Sequence, residues 1–292
     1  MKHEIHVPVL VEEVINGLNI KKNSVVIDAT ADGGGHSREI LKKMGPEARL
    51  LCLDWDKEMT ERLENEFRND ERVKIIQSNF SLVEKMARTL RYRPDAIFFD
   101  LGLSSFQLQA SGRGFSFLKD EPLKMTYDEN THPNAKEIVN KFSEEELGEI
   151  IKEYGEERLW RKISKAITEQ RKRRPIETSK ELADTILRSV PRRGKIHPAT
   201  KTFQALRTFA NKELENIKVG LDGAWNVLEP EGRICVISFH SLEDRIVKRF
   251  FKGKVAGQKA ILINKKVITP AQEEITQNPR SRSSKLRIIQ KI

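Results

Sequence analysis

Residues 25–37 read VVIDATADGGGHS, and the order of residue types in this stretch decides the fold. Val25, Val26 and Ile27 form a short apolar run, the mark of a strand covered on both faces of a parallel sheet. Gly33, Gly34 and Gly35 follow, and Ser37 then opens a helical pattern carrying Ile40 and Leu41. Strand, glycine loop and helix together bring bare backbone and a helix N-terminus against a ligand. The spacing is neither G-x-G-x-x-G nor a loop closing on G-K-[ST]. Asp28 and Asp32 flank the bend instead. A like-charge contact at about 4 Å and an effective dielectric near 20 costs about 4 kcal/mol, so these carboxylates work against a pyrophosphate. A ligand carrying an ammonium and a sulfonium is drawn to the same place, and S-adenosylmethionine is such a ligand. A tight turn without a ligand is the competing reading.

Residues 48–53 (ARLLCL) are a second apolar run closing on Asp54. Asp54 follows Gly33 by about 20 positions, where a carboxylate is placed to accept hydrogen bonds from ribose hydroxyls. Asp56 caps a helix with Met59, Leu63 and Phe67 on one face. Residues 73–77 read as a third strand ended by Asn79-Phe80, after which Ser81 and Glu84 have capping-box spacing. Residues 95–100 (DAIFFD) are a fourth strand, and residues 9–18 upstream have a helical period. Repeated strand–helix units predict a doubly wound α/β sheet with ligands at the strand C-termini.

From about Arg113 to Ile217 the strand signal gives way to helix starts, with a capping box at Ser143 and Glu146 and another start at Thr178 or Ser179. A long helix is expected from about Ala199 through Leu206, Leu214 and Leu221 to Trp225. Residues 234–238 (ICVIS) return to the sheet, Ser241 with Asp244 starts a further helix, and residues 285–292 alternate as an edge or hairpin strand. The expected organisation is a discontinuous donor-binding domain, residues 1–112 and 217–292, interrupted by an all-helical domain, residues 113–216, suited to substrate recognition.

The chain has 292 residues and a net charge of +10, from 53 Lys and Arg against 43 Asp and Glu. That excess favours an anionic partner, nucleic acid before a membrane surface. Cys52 and Cys235 lie inside apolar runs and read as core residues. No apolar run approaches the ~18 residues of a membrane span and no targeting segment is evident, so a cytoplasmic protein is expected. The absence of H-E-x-x-H and C-x-x-C argues against a metal site, and nothing calls for an obligatory protein partner.

Two strand ends could carry chemistry. Asp100 closes the fourth strand, where a carboxylate can orient a nucleophile that loses a proton. It could equally cap a polar turn. His240 and Ser241 follow the fifth strand, and His240 reads either as an acid, base or hydrogen-bond donor or as a helix cap. Basic clusters at residues 171–174, 192–195, 248–249 and 280–285 suit phosphate contacts or solvated faces. Phe106, Phe115 and Phe117 could stack on an unpaired base or fill a core. The enzymatic rival is a nicotinamide-dependent oxidoreductase, which Asp28 and Asp32 disfavour. The rival from another class is a non-catalytic RNA-binding or ribosome-assembly factor.

The blocks HVPVLVEEV, DATADGGGHS, DLGLSSFQL, RGFSF, DEPLKM, YGEER, HPATKTFQALR, SFHSLEDR and NPRSRSSKLR, spread over residues 6–287, resemble the MraW/RsmH family. These are S-adenosylmethionine-dependent methyltransferases of the exocyclic N4 of a cytosine in the decoding region of bacterial small-subunit (16S) rRNA. The resemblance implies a class I (Rossmann-like) methyltransferase sheet with an inserted helical domain, and small-subunit rRNA or the small ribosomal subunit as partner. It also implies cofactor contacts at Gly34, Gly35, His36, Asp54, Phe80, Asp100 and Gln107. The sequence departs from the family pattern at Asp32, often glycine there, and at Lys124-Met125-Thr126, usually D-M-R. Asp100 is expected nearest the reaction, either accepting an amine hydrogen or fixing the methionine part, with His240 and Ser241 approaching the base from the neighbouring strand.

Overall fold

The computed structural model describes residues 8–103, 105–109, 111–128, 130–191 and 197–292. The chain divides into two compact units, Met1–Gly102 with Leu214–Ile292, and Leu103–Glu213. The basic cluster at residues 192–195 lies outside the described residues. Among the described residues no helix is long and apolar enough to cross a membrane.

The first unit is built on a sheet of β1 (Val25–Asp28), β2 (Arg49–Asp54), β3 (Val73–Gln77), β4 (Ala96–Asp100), β5 (Arg233–Ser238), β6 (Ala260–Leu262) and β7 (Lys285–Lys291). The strand order is β3-β2-β1-β4-β5-β7-β6. β1 to β5 pair in parallel, and β7 runs antiparallel to both β5 and β6. Residues alternate between two cores. Val26, Leu50, Cys52, Phe98, Cys235 and Ile237 face one, packed with Val14 and Leu18 of α1 (Val11–Leu18) and Ile40 of α2 (Gly35–Lys43). Ile27, Leu51, Phe99, Ile234 and Val236 face the other, with Val83, Leu221 and Val247 from later helices. Both faces are covered, which is why the strands read as continuous apolar runs. Cys52 and Cys235 are buried free thiols, and burial pushes both well above the usual thiol range.

Two local expectations change here. Ser81 does not cap a helix: it lies in a 3-10 turn, Phe80–Leu82, whose first amides are met by Asn79, the side chain accepting from Ser81 N at 2.8 Å. The helix after it, Val83–Thr89, has no side-chain cap. The C-terminal strand β7 is also interior rather than an edge. The strand that covers it, β6, has only three residues, too few to register as a period in the sequence.

In the second unit the described helices, after α3 (Lys57–Phe67) and α4 (Val83–Thr89) of the first, are α5 (Ser105–Gln109), α6 (Ala135–Lys141), α7 (Glu144–Gly155), α8 (Trp160–Arg173), α9 (Ser179–Ser189) and α10 (Thr200–Ala210). Ser143 and Glu146 form the expected capping box on α7, and Thr178 caps α9 through Glu181 N. Phe115 is buried and stacks on Tyr127 at 5.5 Å, and Phe117 stacks on His197 at 4.5 Å, so both are engaged in packing.

The single helix expected from Ala199 to Trp225 is two, α10 and α11 (Glu213–Val227). Asn211 breaks it: its side-chain amide donates to Met125 O and Arg207 O, both at 2.8 Å, and its oxygen accepts Tyr127 N at 3.0 Å. Lys212 then takes φ +51°. A buried polar side chain satisfied by a distant segment outweighs an uninterrupted apolar period.

Candidate active site at the strand ends

The DATAD stretch is laid across the C-terminal ends of three strands by its own backbone. Ala29 N donates to Phe98 O of β4 at 2.9 Å and Ala31 N to Leu53 O of β2 at 2.8 Å. Asp32 N donates to Asp54 Oδ2 at 2.8 Å, and Asp56 N to Asp54 Oδ1 at 2.7 Å. Asp100 N donates to Thr30 Oγ1 at 2.6 Å. Asp32 sits at φ +43° and Gly34, the residue before α2, at φ +76°. Glycine adopts this left-handed region without steric cost, so Asp32 occupies a backbone position that favours glycine. β1 lies between β2 and β4, so successive connections leave it in opposite directions, and the crevice at such a switch point is where open α/β sheets bind ligands.

The carboxylates have different standing. Asp28 is fully buried and turned into the fold, accepting Ser37 Oγ at 2.6 Å and Thr30 N at 3.3 Å. Burial pushes its pKa up to about 6, against those hydrogen bonds and with the Asp32 charge adding to it. Asp54 is pushed up to about 7 by burial first and the Asp32 charge second, while the backbone amides of Asp56 and Asp32 pull it down. Asp100 is raised well above the ordinary carboxylate range by burial, then by the charges of Asp32, Asp28 and Glu243. Its Oδ1 is buried with no hydrogen-bond partner, and its Oδ2 lies 3.6 Å from His36 Nδ1. Repulsion within one acidic cluster is relieved by protons or by a cation.

His36 is buried, its Nε2 2.9 Å from Val9 O and its ring 4.6 Å from that of Phe98. It packs beneath Asp100. Phe80 stands edge-on to Phe99 at 5.9 Å, and its ring lies 2.8 Å from where a Cβ on Gly220 would stand, so that glycine lets the ring seat against α11. Gly102, at φ +155°, is required for a similar reason: its Cβ would meet Phe239 Cδ2 at 2.8 Å.

The helix after β5 starts differently from expectation. The cap of α12 (Ser241–Ala256) is His240, and its capping box is closed by Glu243 rather than by Ser241 with Asp244. Glu243 Oε2 accepts Phe239 N at 2.8 Å and His240 N at 3.2 Å, and its Oε1 lies 3.1 Å from His240 Nε2. Asp244 turns away to accept Arg287 Nε at 2.7 Å and Nη2 at 3.2 Å from β7. Ser241 is the first residue of α12.

Gly34, Gly35, His36, Asp54, Phe80, Asp100, His240 and Ser241 all lie in the first unit, in or beside the segments that follow the parallel strands. Gln107 is buried in α5 of the second unit. Two participants escaped the sequence reading. Thr30, which anchors Asp100, carries no sequence signal, whereas Glu243 stands three residues after His240, a spacing that capping boxes use.

The acidic set suits a ligand with positive charge: one unpartnered carboxylate oxygen on Asp100, with Asp54 at the C-terminal end of β2. A parallel five-strand sheet completed by an antiparallel β7–β6 pair, with a glycine loop after β1 and carboxylates ending β1, β2 and β4, defines a class I methyltransferase. The sequence pattern of the MraW methylase family matches residues 3–292. A protein of Caldicellulosiruptor saccharolyticus named ribosomal RNA small subunit methyltransferase H is 45% identical over 98% of this chain and 99% of its own. Proteins of the same name from Coprothermobacter proteolyticus and Persephonella marina are each 44% identical over 98% of this chain, and over 96% and 99% of their own. The chain belongs to the MraW methylase family.

Proposed function

We propose that this enzyme transfers the methyl group of S-adenosylmethionine to the exocyclic N4 of a cytosine in the decoding region of bacterial small-subunit rRNA. The observation that carries the chemistry is Asp100, with one buried carboxylate oxygen unpartnered at the end of β4. Family membership and the relatives' common name support the substrate class.

S-adenosylmethionine supplies an electrophilic methyl on a sulfonium. Asp54 is placed to accept its ribose hydroxyls, and is joined by Gly34, Gly35, His36 and Phe80 in the contacts that the family resemblance assigns within the first unit. A cation beside Asp100 favours its ionised, hydrogen-bond-accepting form. A cytosine amine is a poor nucleophile because its lone pair is delocalised into the ring. Asp100 accepts a hydrogen bond from that amine and turns the lone pair out of conjugation. His240 and Ser241 border the approach of the base from the β5 end. Orientation and proximity supply most of the acceleration, and the base must be unpaired or flipped out to enter. The helical unit, Leu103–Glu213, is assigned to substrate recognition.

The test is labelled methyl transfer onto small subunits that lack the modification, followed by mapping of the labelled base. Label on the N4 of one decoding-region cytosine is expected. Label elsewhere, or none, overturns the assignment.

A further inference from the structure

The opposite edge of the same sheet holds a second concave site. A cleft of about 770 Å³ lies beside the N-terminal ends of β4 and β5, lined by Arg88, Arg91, Tyr92, Arg93, Glu229 and Lys291 among others. Backbone bonds fix its walls: Glu229 N donates to Pro94 O, and Glu231 N to Lys291 O, each at 3.0 Å. Asp28, Asp54 and Asp100 close the C-terminal ends of β1, β2 and β4, on the other side of the sheet. Five strand residues at about 3.3 Å each put roughly 17 Å between the two edges.

The cations here are unequally occupied. Lys291 is structural, donating to Trp225 O and Leu228 O at the end of α11. Arg88 is paired with Glu84 at 2.8 Å. Arg93 is 83% exposed and reaches only to 3.8 Å from Glu229, and Arg91 has no carboxylate within ion-pair distance among the described residues. Arg91 takes φ +55° where α4 ends, which turns the chain so that residues 91–93 all line the cleft. Tyr92 sits between the two arginines, half-buried, with the Arg49 guanidinium 5.7 Å from its ring centre.

We infer that this cleft is a second contact for RNA, taking backbone phosphates of the rRNA substrate at a distance from the methylated base. Exposed guanidiniums at the rim of an open cleft suit an extended polyanion, which gains from several loose phosphate contacts. A free nucleotide needs buried, preorganised donors. The inference rests on rRNA being the substrate, and it makes the enzyme's recognition depend on RNA well beyond the target base.

The experiment compares wild type with the double variant Arg91→Glu, Arg93→Glu on two substrates: whole small subunits, and a short single-stranded oligonucleotide carrying the target cytosine. The expected result is a roughly tenfold fall in kcat/KM on subunits with the oligonucleotide rate unchanged, and a salt slope of subunit binding shallower by about 2, since each lost phosphate contact removes about 0.9. The oligonucleotide rate also reports that the variant is folded. Equal kinetics on subunits overturns the inference, as does an equal fall on both substrates. Binding of ATP that the double variant abolishes, with subunit kinetics intact, assigns the cleft to a small anion and overturns it too. If wild type itself modifies neither substrate, the proposed function fails, a different result from any of these.

Discussion

Asp100 joins two properties that seldom coexist in a carboxylate: it is surrounded by other acids, and one of its oxygens has no hydrogen-bond donor. Such a group weakens the fold unless a cation or a substrate hydrogen meets it. Asp100→Asn is therefore expected to abolish methyl transfer while raising the melting temperature by a few degrees, about 1 kcal/mol for a domain of this size. Calorimetry and a methylation assay read the two effects, and near-normal turnover removes Asp100 from the mechanism. Asp54 and Asp28 give a pH signature. Their folded pKa values, about 7 and about 6, lie above the ordinary 3.8, so in the interval between, the folded chain holds protons that the unfolded chain has released. Stability from these groups is complete at low pH and is lost as pH rises through about 6 and then about 7. The donor-free protein is expected to melt lower at about pH 8 than at about pH 5.5 through these groups, and Asp54→Asn to flatten that fall. A melting profile that Asp54→Asn leaves unchanged excludes Asp54 as its source.

At the scale of elements, the junction of β5 with α12 serves both structure and chemistry. His240 caps the helix and Glu243 returns the bond to two backbone amides. His240→Ala is expected to cost about 1 kcal/mol in urea denaturation, as lost caps do. Asparagine is a good cap without an imidazole, so His240→Asn separates the roles: stability near wild type is expected, with activity down by more than about tenfold if the ring borders the base. Full activity in His240→Asn makes the histidine a cap alone. The α10–α11 break shows the limit of reading elements from period. Leu206, Leu214 and Leu221 keep a helical spacing across the junction, but Asn211 is held by Met125 O and Tyr127 N, some 86 and 84 residues earlier.

Across the molecule, charge is sorted along the sheet. Carboxylates gather at the C-terminal ends of β1, β2 and β4, while Arg88, Arg91 and Arg93 line the opposite edge, in a chain of net charge +10. A local acidic pocket within a basic protein separates the demands of a cationic donor from those of a polyanionic substrate. Binding to small-subunit rRNA is expected to weaken steeply with salt, by about tenfold or more between about 50 and 200 mM, with donor affinity far less affected because the Asp cluster is largely shielded from solvent. Filter binding and calorimetry over a salt series check this, and equal sensitivity of both ligands contradicts it.

Local sequence was enough to establish the sheet's parallel strands, the glycine bend, the caps at Asp56 and Ser143, and the acidic residues at the strand ends. These are local matters: an apolar run, a left-handed backbone position or an acceptor two or three residues before a free amide leaves its mark within a few positions. Packing settles that β7 lies inside the sheet, that Asp28 is consumed by Ser37 while Asp100 keeps an oxygen unpartnered, that Thr30 anchors Asp100, and that Asn211 divides a helix. Each of these depends on groups far apart in the chain competing for the same donor or the same space, and such competition is settled by packing, which no short window of sequence contains.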